Sequence, residues 1–289
     1  MNILVTGANG QLGEEIRILS EKFPNYNFIF TDIQELDLSN STIVDSFCKD
    51  KKLDYLVNCA AYTAVDVAES DEDLAVLINT KVPEHLGKIS KILGFKVIHV
   101  STDYVFDGTS STPYVENDMV NPESVYGKTK LNGEISLLRE NPDAIVIRTA
   151  WLYSAYGKNF VKTMIRLGEE RDNMKVVYDQ IGTPTYAGDL AKTILEIISK
   201  IEKKEVEWIP GIFHYSNEGV CSWYDFAKAI HEFCGISCEI WPVSTDEYPT
   251  PAKRPAYSVL NKSRIKKTFN FEIPYWRDSL KVCIDVLNK

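Results

Sequence analysis

The sequence predicts an α/β protein built on a doubly wound parallel sheet. Three observations predict it. Short apolar runs alternate with helical patterns through the first half of the chain. The first run leads at once into three glycines and a helix-like pattern. Residues able to do polar chemistry fall just past the ends of these runs, where a parallel sheet gathers its ligands.

Ile3-Leu4-Val5 reads as the first, buried strand. It runs into Thr6-Gly7-Ala8-Asn9-Gly10-Gln11-Leu12-Gly13, after which Ile16, Ile18 and Leu19 repeat with helical spacing. Glycines spaced G-x-x-G-x-x-G permit a tight turn, a close approach of backbone to a pyrophosphate, and a helix N-terminus aimed at the anion. A plain strand-to-helix turn is the competing reading, and three glycines between a first strand and a first helix weigh against it. Phe28-Ile29-Phe30-Thr31 is the second strand and ends at Asp32, about 20 residues past Gly13. Asp32 reads either as an acceptor for adenosine ribose hydroxyls or as a solvated loop carboxylate. Asp37 and Leu38 could approach the adenine side, although Asp37-Leu38-Ser39-Asn40 also has the makings of a helix N-terminus.

Tyr55-Leu56-Val57 is the third strand, and its exit, Asn58-Cys59-Ala60-Ala61-Tyr62-Thr63, is small enough for a flat cofactor to lie against. Residues 72–93 read as one long helix, with Pro83 as an interruption. Strand four covers 96–100 and leads to Ser101-Thr102-Asp103-Tyr104. The stretch 107–123, rich in Gly, Ser, Thr, Pro and Asn, is a long loop of the kind that usually carries function. It leads to a helix bearing Tyr126 and Lys130, and strand five, 144–148, runs on to Trp151. Gly7, Asp32, Ala61, Thr102 and Trp151 therefore all open onto one crevice at the carboxyl ends of the strands.

Past residue 150 the pattern predicts helices at 158–170, 189–203 and 222–235, short strands at 175–178 and 238–241, and a further strand of the main sheet at 211–215. A Pro-rich loop, Tyr248-Pro249-Thr250-Pro251-Ala252-Lys253-Arg254-Pro255, follows. The expected division is a dinucleotide-binding part over 1–165 with 188–217 returning to it. The remainder, 166–187 and 218–289, forms a smaller, interleaved C-terminal substrate lobe.

Tyr126 and Lys130 stand four residues apart, so a helix places both on one face. An ordinary Tyr, with a pKa of about 10, is a poor acid or base near neutrality. A nearby ammonium favours phenolate and is expected to lower that value. Tyr-x-x-x-Lys alone is a common surface pattern. Its weight here comes from the long loop before it and from Thr102 at the end of the neighbouring strand.

The chain of 289 residues, 44% hydrophobic and 25% charged, suits one large globular unit. A net charge of -9 argues against nucleic acid as a partner, which needs a basic footprint. No apolar run reaches the ~18 residues of a membrane span, and the start lacks the basic segment of a signal peptide. Cys48, Cys59, Cys221, Cys234, Cys238 and Cys283 are scattered, with no Cys-x-x-Cys pair, and read as reduced thiols of a cytoplasmic protein. His99 and His214 lie within apolar strands and read as satisfied core histidines.

Five further blocks add specificity: Asn58 to Asp66, Ser101-Thr102-Asp103-Tyr104-Val105-Phe106-Asp107-Gly108, Val125 to Lys130, Arg148-Thr149-Ala150-Trp151-Leu152-Tyr153, and Arg254-Pro255-Ala256-Tyr257-Ser258-Val259-Leu260. With the glycine loop they resemble the extended short-chain dehydrogenase/reductase family, in its branch acting on nucleotide-linked keto-deoxy sugars. The resemblance spans nearly the whole chain in order. It implies a Rossmann-type sheet and NAD(P)H-dependent reduction of the C4 ketone of dTDP-4-dehydro-L-rhamnose. Tyr126 would be the proton donor, Lys130 its partner and the holder of the nicotinamide ribose, and Thr102 a hydrogen-bonding neighbour of both phenol and sugar oxygen. Asp103 would sit at the substrate and Trp151 would pack on the sugar. Gly7, Gly10, Gln11, Leu12, Gly13, Asp32, Asp37, Leu38, Ala60, Ala61, Tyr62 and Thr63 would line the cofactor.

From the residues alone, Trp151 reads rather as core or lobe-interface packing. Arg254 is either a solvated charge or a clamp on the nucleotide diphosphate, for which Arg is suited. NADH is the expected preference over NADPH, because Asp32 and Glu35 put negative charge where the extra phosphate would lie. The sequence establishes no metal site; the resemblance leaves a cation such as Mg open, with Glu15 a contributor by position. Two other readings stand beside the reductase: a related epimerase or reductase of another deoxy sugar, and a regulatory subunit of the methionine adenosyltransferase type. A monomer or a homodimer is expected.

Overall fold

A computed structural model describes residues 1–288. Its centre is a parallel sheet of six strands: β1 (Asn2–Thr6), β2 (Asn27–Thr31), β3 (Tyr55–Asn58), β4 (Lys96–Thr102), β5 (Ile145–Thr149) and β10 (Gly211–His214). They lie in the order β2-β1-β3-β4-β5-β10. The order reverses between β1 and β3, and at such a switch point loops diverge and leave a crevice.

The strands are apolar through their middles because both faces of the sheet are covered. Ile3, Val5, Val57, Ile98, Ile145 and Phe213 pack towards Ile16 of α1 (Gln11–Ser20), Leu190 and Ile194 of α8 (Ala187–Glu202), and Ile265 and Phe269 of α10 (Ser263–Phe269). Leu4, Leu56, Val97 and Val146 point the other way. They meet Val44 of α2 (Ser41–Lys51), Leu86 of α5 (Val82–Leu93) and Leu137 of α6 (Val125–Glu140). The predicted strand at 211–215 is thus β10, parallel to β5 at the sheet edge.

A second core lies outside the sheet. Val161 and Met164 of α7 (Phe160–Glu170), Phe226 and Ile230 of α9 (Trp223–Cys234) and Leu280 of α11 (Trp276–Leu287) enclose Met174 and Ile240. Met174 belongs to β7 (Asn173–Val177) and Ile240 to β12 (Glu239–Val243), a parallel pair. Two more small ladders tie this core to the sheet: β6 (Leu152–Tyr153) with β9 (Thr185–Tyr186), and β8 (Ile181–Gly182) with β11 (Cys221–Ser222). Among the described residues no helix is long and apolar enough to cross a membrane.

Residues 72–93 form the expected continuous helix, with one irregular turn inside it. After the short α3 (Val65–Ala68), α4 (Glu72–Val76) passes through a π-helical turn at Leu77–Lys81 before α5 begins. Pro83 comes just after this π-turn, where Val82 N–H reaches back to Leu77 O and the wider turn accommodates a residue that cannot donate. One expectation needs correction: the two strand histidines are only half satisfied. His99 meets the Asn58 amide and His214 meets the Tyr114 carbonyl, each through Nδ1, while both Nε2 atoms lack partners. Burial pulls both imidazoles down, His214 to about 3, so they stay neutral.

Candidate active site

The crevice, of about 870 Å³, opens where β1 and β3 part and extends past the ends of β4 and β5. Its first end is the glycine loop. Thr6 Oγ1 donates to Asn58 Oδ1 at 2.7 Å and locks the ends of β1 and β3 together. Gly7 then takes φ +64°, and a Cβ there would lie 2.7 Å from the Ala60 nitrogen. Only glycine fits so close to a crossing backbone. The α1 N-terminus after it has no side-chain cap at Gly10, so its first N–H groups remain available for an anion. The cradle and its free N–H groups fit the pyrophosphate of a dinucleotide.

Gly10, Gln11, Leu12, Asp32, Asp37, Leu38, Ala60, Ala61, Tyr62 and Thr63 all line this crevice, whereas Gly13 acts from beneath, packed on Gly7 and Ala8. Asp32 is not a free carboxylate. It accepts from Asn9 N at 2.9 Å and from Ile33 N at 2.8 Å, so it fastens the glycine loop to the end of β2. Asp37 turns back onto the Ser39 N–H and hydroxyl, and Asn40 caps α2.

The middle of the crevice holds the polar cluster. Ser124 caps α6 by accepting from Gly127 N, which starts the helix one residue before Tyr126. Gly127 is needed for closeness: a Cβ would come within 2.3 Å of the Tyr104 carbonyl. This contact lets α6 lie against the turn after β4 and brings Tyr126 to Thr102. Two buried links hold the helix to the sheet, Lys130 Nζ to Val100 O at 2.7 Å and Arg148 to Glu134 at 2.7 Å.

The electrostatics differ from the expectation in one respect. Burial outweighs every other influence on Tyr126 and pushes its phenol above the ordinary value, while the neighbouring Thr102 hydroxyl pulls it down in part. Lys130 is not among the groups that shift it, and its ammonium donates to Val100 O. Burial pulls Lys130 itself down to about 8. The Thr102 hydroxyl donates to Asp103 Oδ1 at 3.0 Å and accepts from Tyr104 N at 3.3 Å. Burial raises the Asp103 carboxyl to about 6, while the Ser258 and Thr102 hydroxyls pull it back in part.

At the far end stands Trp151, whose backbone takes φ +48°, a value unusual for any residue but glycine. Its indole is stacked on Trp223, centroids 3.6 Å apart. Arg254 is no solvated charge. It pairs with Asp66 at 2.7 Å and donates to the Tyr104 hydroxyl at 3.2 Å. The Ala252 N–H reaches the same Asp66, and Lys253 pairs with Glu123, so the Pro-rich loop is strapped across the crevice mouth.

Sequence reasoning missed Asp66, Asn79 and Trp223. Asn79, in the π-helical turn, holds Tyr62 at both backbone groups and reaches Thr129 Oγ1, joining the loop after β3 to α6. Pro83 within a helical pattern was the one available signal for it. Glu15 faces inward, 5% exposed, and accepts from Ser154 Oγ at 2.6 Å. Among the described residues no group of His, Cys, Asp and Glu gathers to hold a metal ion.

A glycine cradle at one end of a Rossmann-like crevice and a buried Thr-Tyr-Lys cluster in its middle define an NAD(P)H-dependent oxidoreductase of the short-chain dehydrogenase/reductase class. The RmlD substrate binding domain family matches residues 1–289, and the chain belongs to that family. It is similar to a dTDP-4-dehydrorhamnose reductase of Aggregatibacter actinomycetemcomitans, 41% identical over 285 residues that cover 96% of this chain and 97% of the relative. Among solved structures, a dTDP-4-dehydrorhamnose reductase of Clostridium acetobutylicum is 47% identical, with a TM-score of 0.94 and 100% of each chain covered. A Bacillus anthracis dTDP-4-dehydrorhamnose reductase in complex with NADP is 36% identical, with a TM-score of 0.92 and 99% of each chain covered.

Proposed function

We propose that this protein reduces the C4 ketone of dTDP-4-dehydro-L-rhamnose to give dTDP-L-rhamnose for cell-surface polysaccharide. The observation that carries the reading is the Thr102, Tyr126 and Lys130 cluster buried in the crevice of a chain of this family. Reduced nicotinamide supplies the hydride when bound.

The chain's own part is placement and proton supply. Tyr126 is held as a phenol by burial and so keeps a proton to give to the carbonyl oxygen as charge develops there. Thr102 can join it as a donor once its hydroxyl turns from Asp103 to the sugar oxygen. Lys130 turns from Val100 O to the nicotinamide ribose and brings positive charge beneath the phenol. Asp103 and Trp151 meet the sugar, and Arg254 exchanges Asp66 for the nucleotide diphosphate. The glycine cradle, with Asp32, Asp37, Leu38 and the Ala60 to Thr63 loop, holds the cofactor.

NADH is the preferred donor in this reading, since Asp32 sits where the adenosine ribose should lie. Residues 1–165 and 188–217 form the dinucleotide part, and 166–187 with 218–289 the sugar lobe, α10 being lent back to the sheet. Six unpaired thiols support a cytoplasmic setting.

The test is turnover of dTDP-4-dehydro-L-rhamnose with each nicotinamide cofactor and identification of the product sugar. Stoichiometric cofactor oxidation with formation of dTDP-L-rhamnose is expected. A changed sugar without net cofactor consumption would mean an epimerase, and no change in either would overturn the reading.

A further inference from the structure

Trp223 begins α9 and has no place in the reaction as described so far, yet it lines the same crevice as Trp151. The two indoles lie 3.6 Å apart between centroids and 9° from parallel. Such a close, flat overlap is unusual for aromatic pairs, which favour offset or edge-to-face contact. It is imposed by the frame. Ser222, directly before Trp223, pairs with Ile181 in the β8–β11 ladder, and Cys221 pairs with Gly182.

Gly182 is in turn pressed on Trp151: a Cβ there would come within 2.6 Å of Cε2 and 2.7 Å of Cζ2. A capping box fixes the first turn of α9, with Asp225 N donating to Ser222 Oγ at 3.0 Å and Ser222 N donating to Asp225 Oδ2 at 2.9 Å. Phe160 supports Trp223, with centroids 4.6 Å apart. One two-stranded ladder thus sets the positions of both tryptophans, and Trp151 is held at φ +48° against it. Strained backbone of this kind persists where the surroundings over-determine it and is a pointer to function.

The pair also stands close to the polar cluster in the middle of the crevice. Thr149 lies opposite Thr102 in the β4–β5 register, and Trp151 is two residues further on.

We propose that Trp223 is a specificity-determining residue, forming with Trp151 a two-indole wall that receives the deoxyhexose ring of the nucleotide sugar. The proposal rests on the ketosugar reading above. A 6-deoxy sugar presents C–H groups and a methyl where a common hexose presents a hydroxyl. An aromatic wall covers that apolar edge and would strand a hydroxyl without a partner.

The experiment uses the intact protein with Trp223→Ala and Trp223→Phe. Stacked indoles couple their electronic transitions, so the wild type should show a paired positive and negative circular-dichroism band that both variants lose. Trp223→Ala should raise KM for dTDP-4-dehydro-L-rhamnose about tenfold, with kcat changed by less than about threefold. The Kd for dTDP, which lacks the sugar, and for NADPH should stay within about twofold. Trp223→Phe, which keeps the packing on Phe160, should recover most of the KM and covers the case in which the Ala variant fails to fold.

An unchanged KM in a folded variant that has lost the paired band overturns the proposal. An equal loss of dTDP affinity also overturns it, because the wall would then serve the base or the diphosphate. If the wild type does not turn over the ketosugar, the functional reading fails, and titration of the ketosugar nucleotide against dTDP still decides the role of Trp223.

Discussion

Lys130 Nζ donates to the carbonyl of Val100 at 2.7 Å, two residues before Thr102 on β4. The bond pins α6, with Tyr126, to the strand that carries Thr102. It also leaves a buried ammonium whose charge is weakly held, since burial brings it down to about 8. The protonated form exists below that value and is lost as pH rises through it. The profile of kcat/KM for the nicotinamide cofactor reports the enzyme before the cofactor binds, with Lys130 against Val100 O. The rate should therefore fall on the alkaline side, beginning near pH 8 and approaching tenfold per unit. A profile flat to about pH 9.5 would separate activity from the Lys130 charge.

Tyr126→Phe should remove most turnover and leave cofactor affinity nearly intact. The phenol reaches Thr102 and is buried, so its loss deletes a proton source without opening the glycine cradle. A loss of ~10²–10⁴-fold in kcat is expected. Near-normal kcat under conditions where chemistry limits the rate would show that the proton comes from elsewhere.

The Arg254–Asp66 pair gives two substitutions with opposite expectations. Arg254→Ala removes the cation offered to the diphosphate and should weaken dTDP binding by about tenfold or more. Asp66→Asn keeps an acceptor for Ala252 N but gives up the competing charge, so dTDP should bind as well as before or better. Titration of dTDP into each variant distinguishes the cases. Equal weakening in both would mean that the ion pair serves only to hold the loop.

Cofactor choice is open to a direct comparison of kcat/KM for NADH and NADPH at saturating ketosugar. Asp32 near the adenosine ribose should favour NADH, and Asp32→Ala should lose much of the preference. The margin is expected to be small. Arg17 lies over the Phe30 ring at 4.5 Å and reaches Asn9 Oδ1 at 3.5 Å, which brings a cation to the same end. Asp32→Asn, which keeps an acceptor for the Asn9 and Ile33 N–H groups, separates charge from loop support. Better use of NADPH by the wild type would remove Asp32 as the selector.

The sheet and the reacting centre could be read from the chain because both follow from local spacing. A strand between turn signals, three glycines before a helix, and Tyr126 four residues before Lys130 each lie within a short window. The far end could not be read this way. Trp223 meets Trp151 only because two-residue strands too short to carry a pattern bring them together. Asp66 and Arg254 are joined across most of the chain, and either looks like a surface charge in its own surroundings. The environment of Tyr126 was misjudged for a related reason. Spacing reveals which charge shares its helix face, whereas the burial that dominates its acidity comes from Tyr62, Ala68, Ala75 and Tyr104 on other elements.

The position of β10 has a consequence for making this protein in pieces. The strand arrives from residues 211–214 to pair with β5, and α8 and α10 cover the face beneath it. A fragment ended near residue 165 would keep the cradle, Thr102, Tyr126 and Lys130, yet leave β5 with a row of unpaired N–H and C=O groups. Beside it would lie bared Ile145 and Ile147. Such an edge invites pairing with another chain. The excised N-terminal half should therefore aggregate, and the sheet can close only after the ribosome has released the strand that borders it.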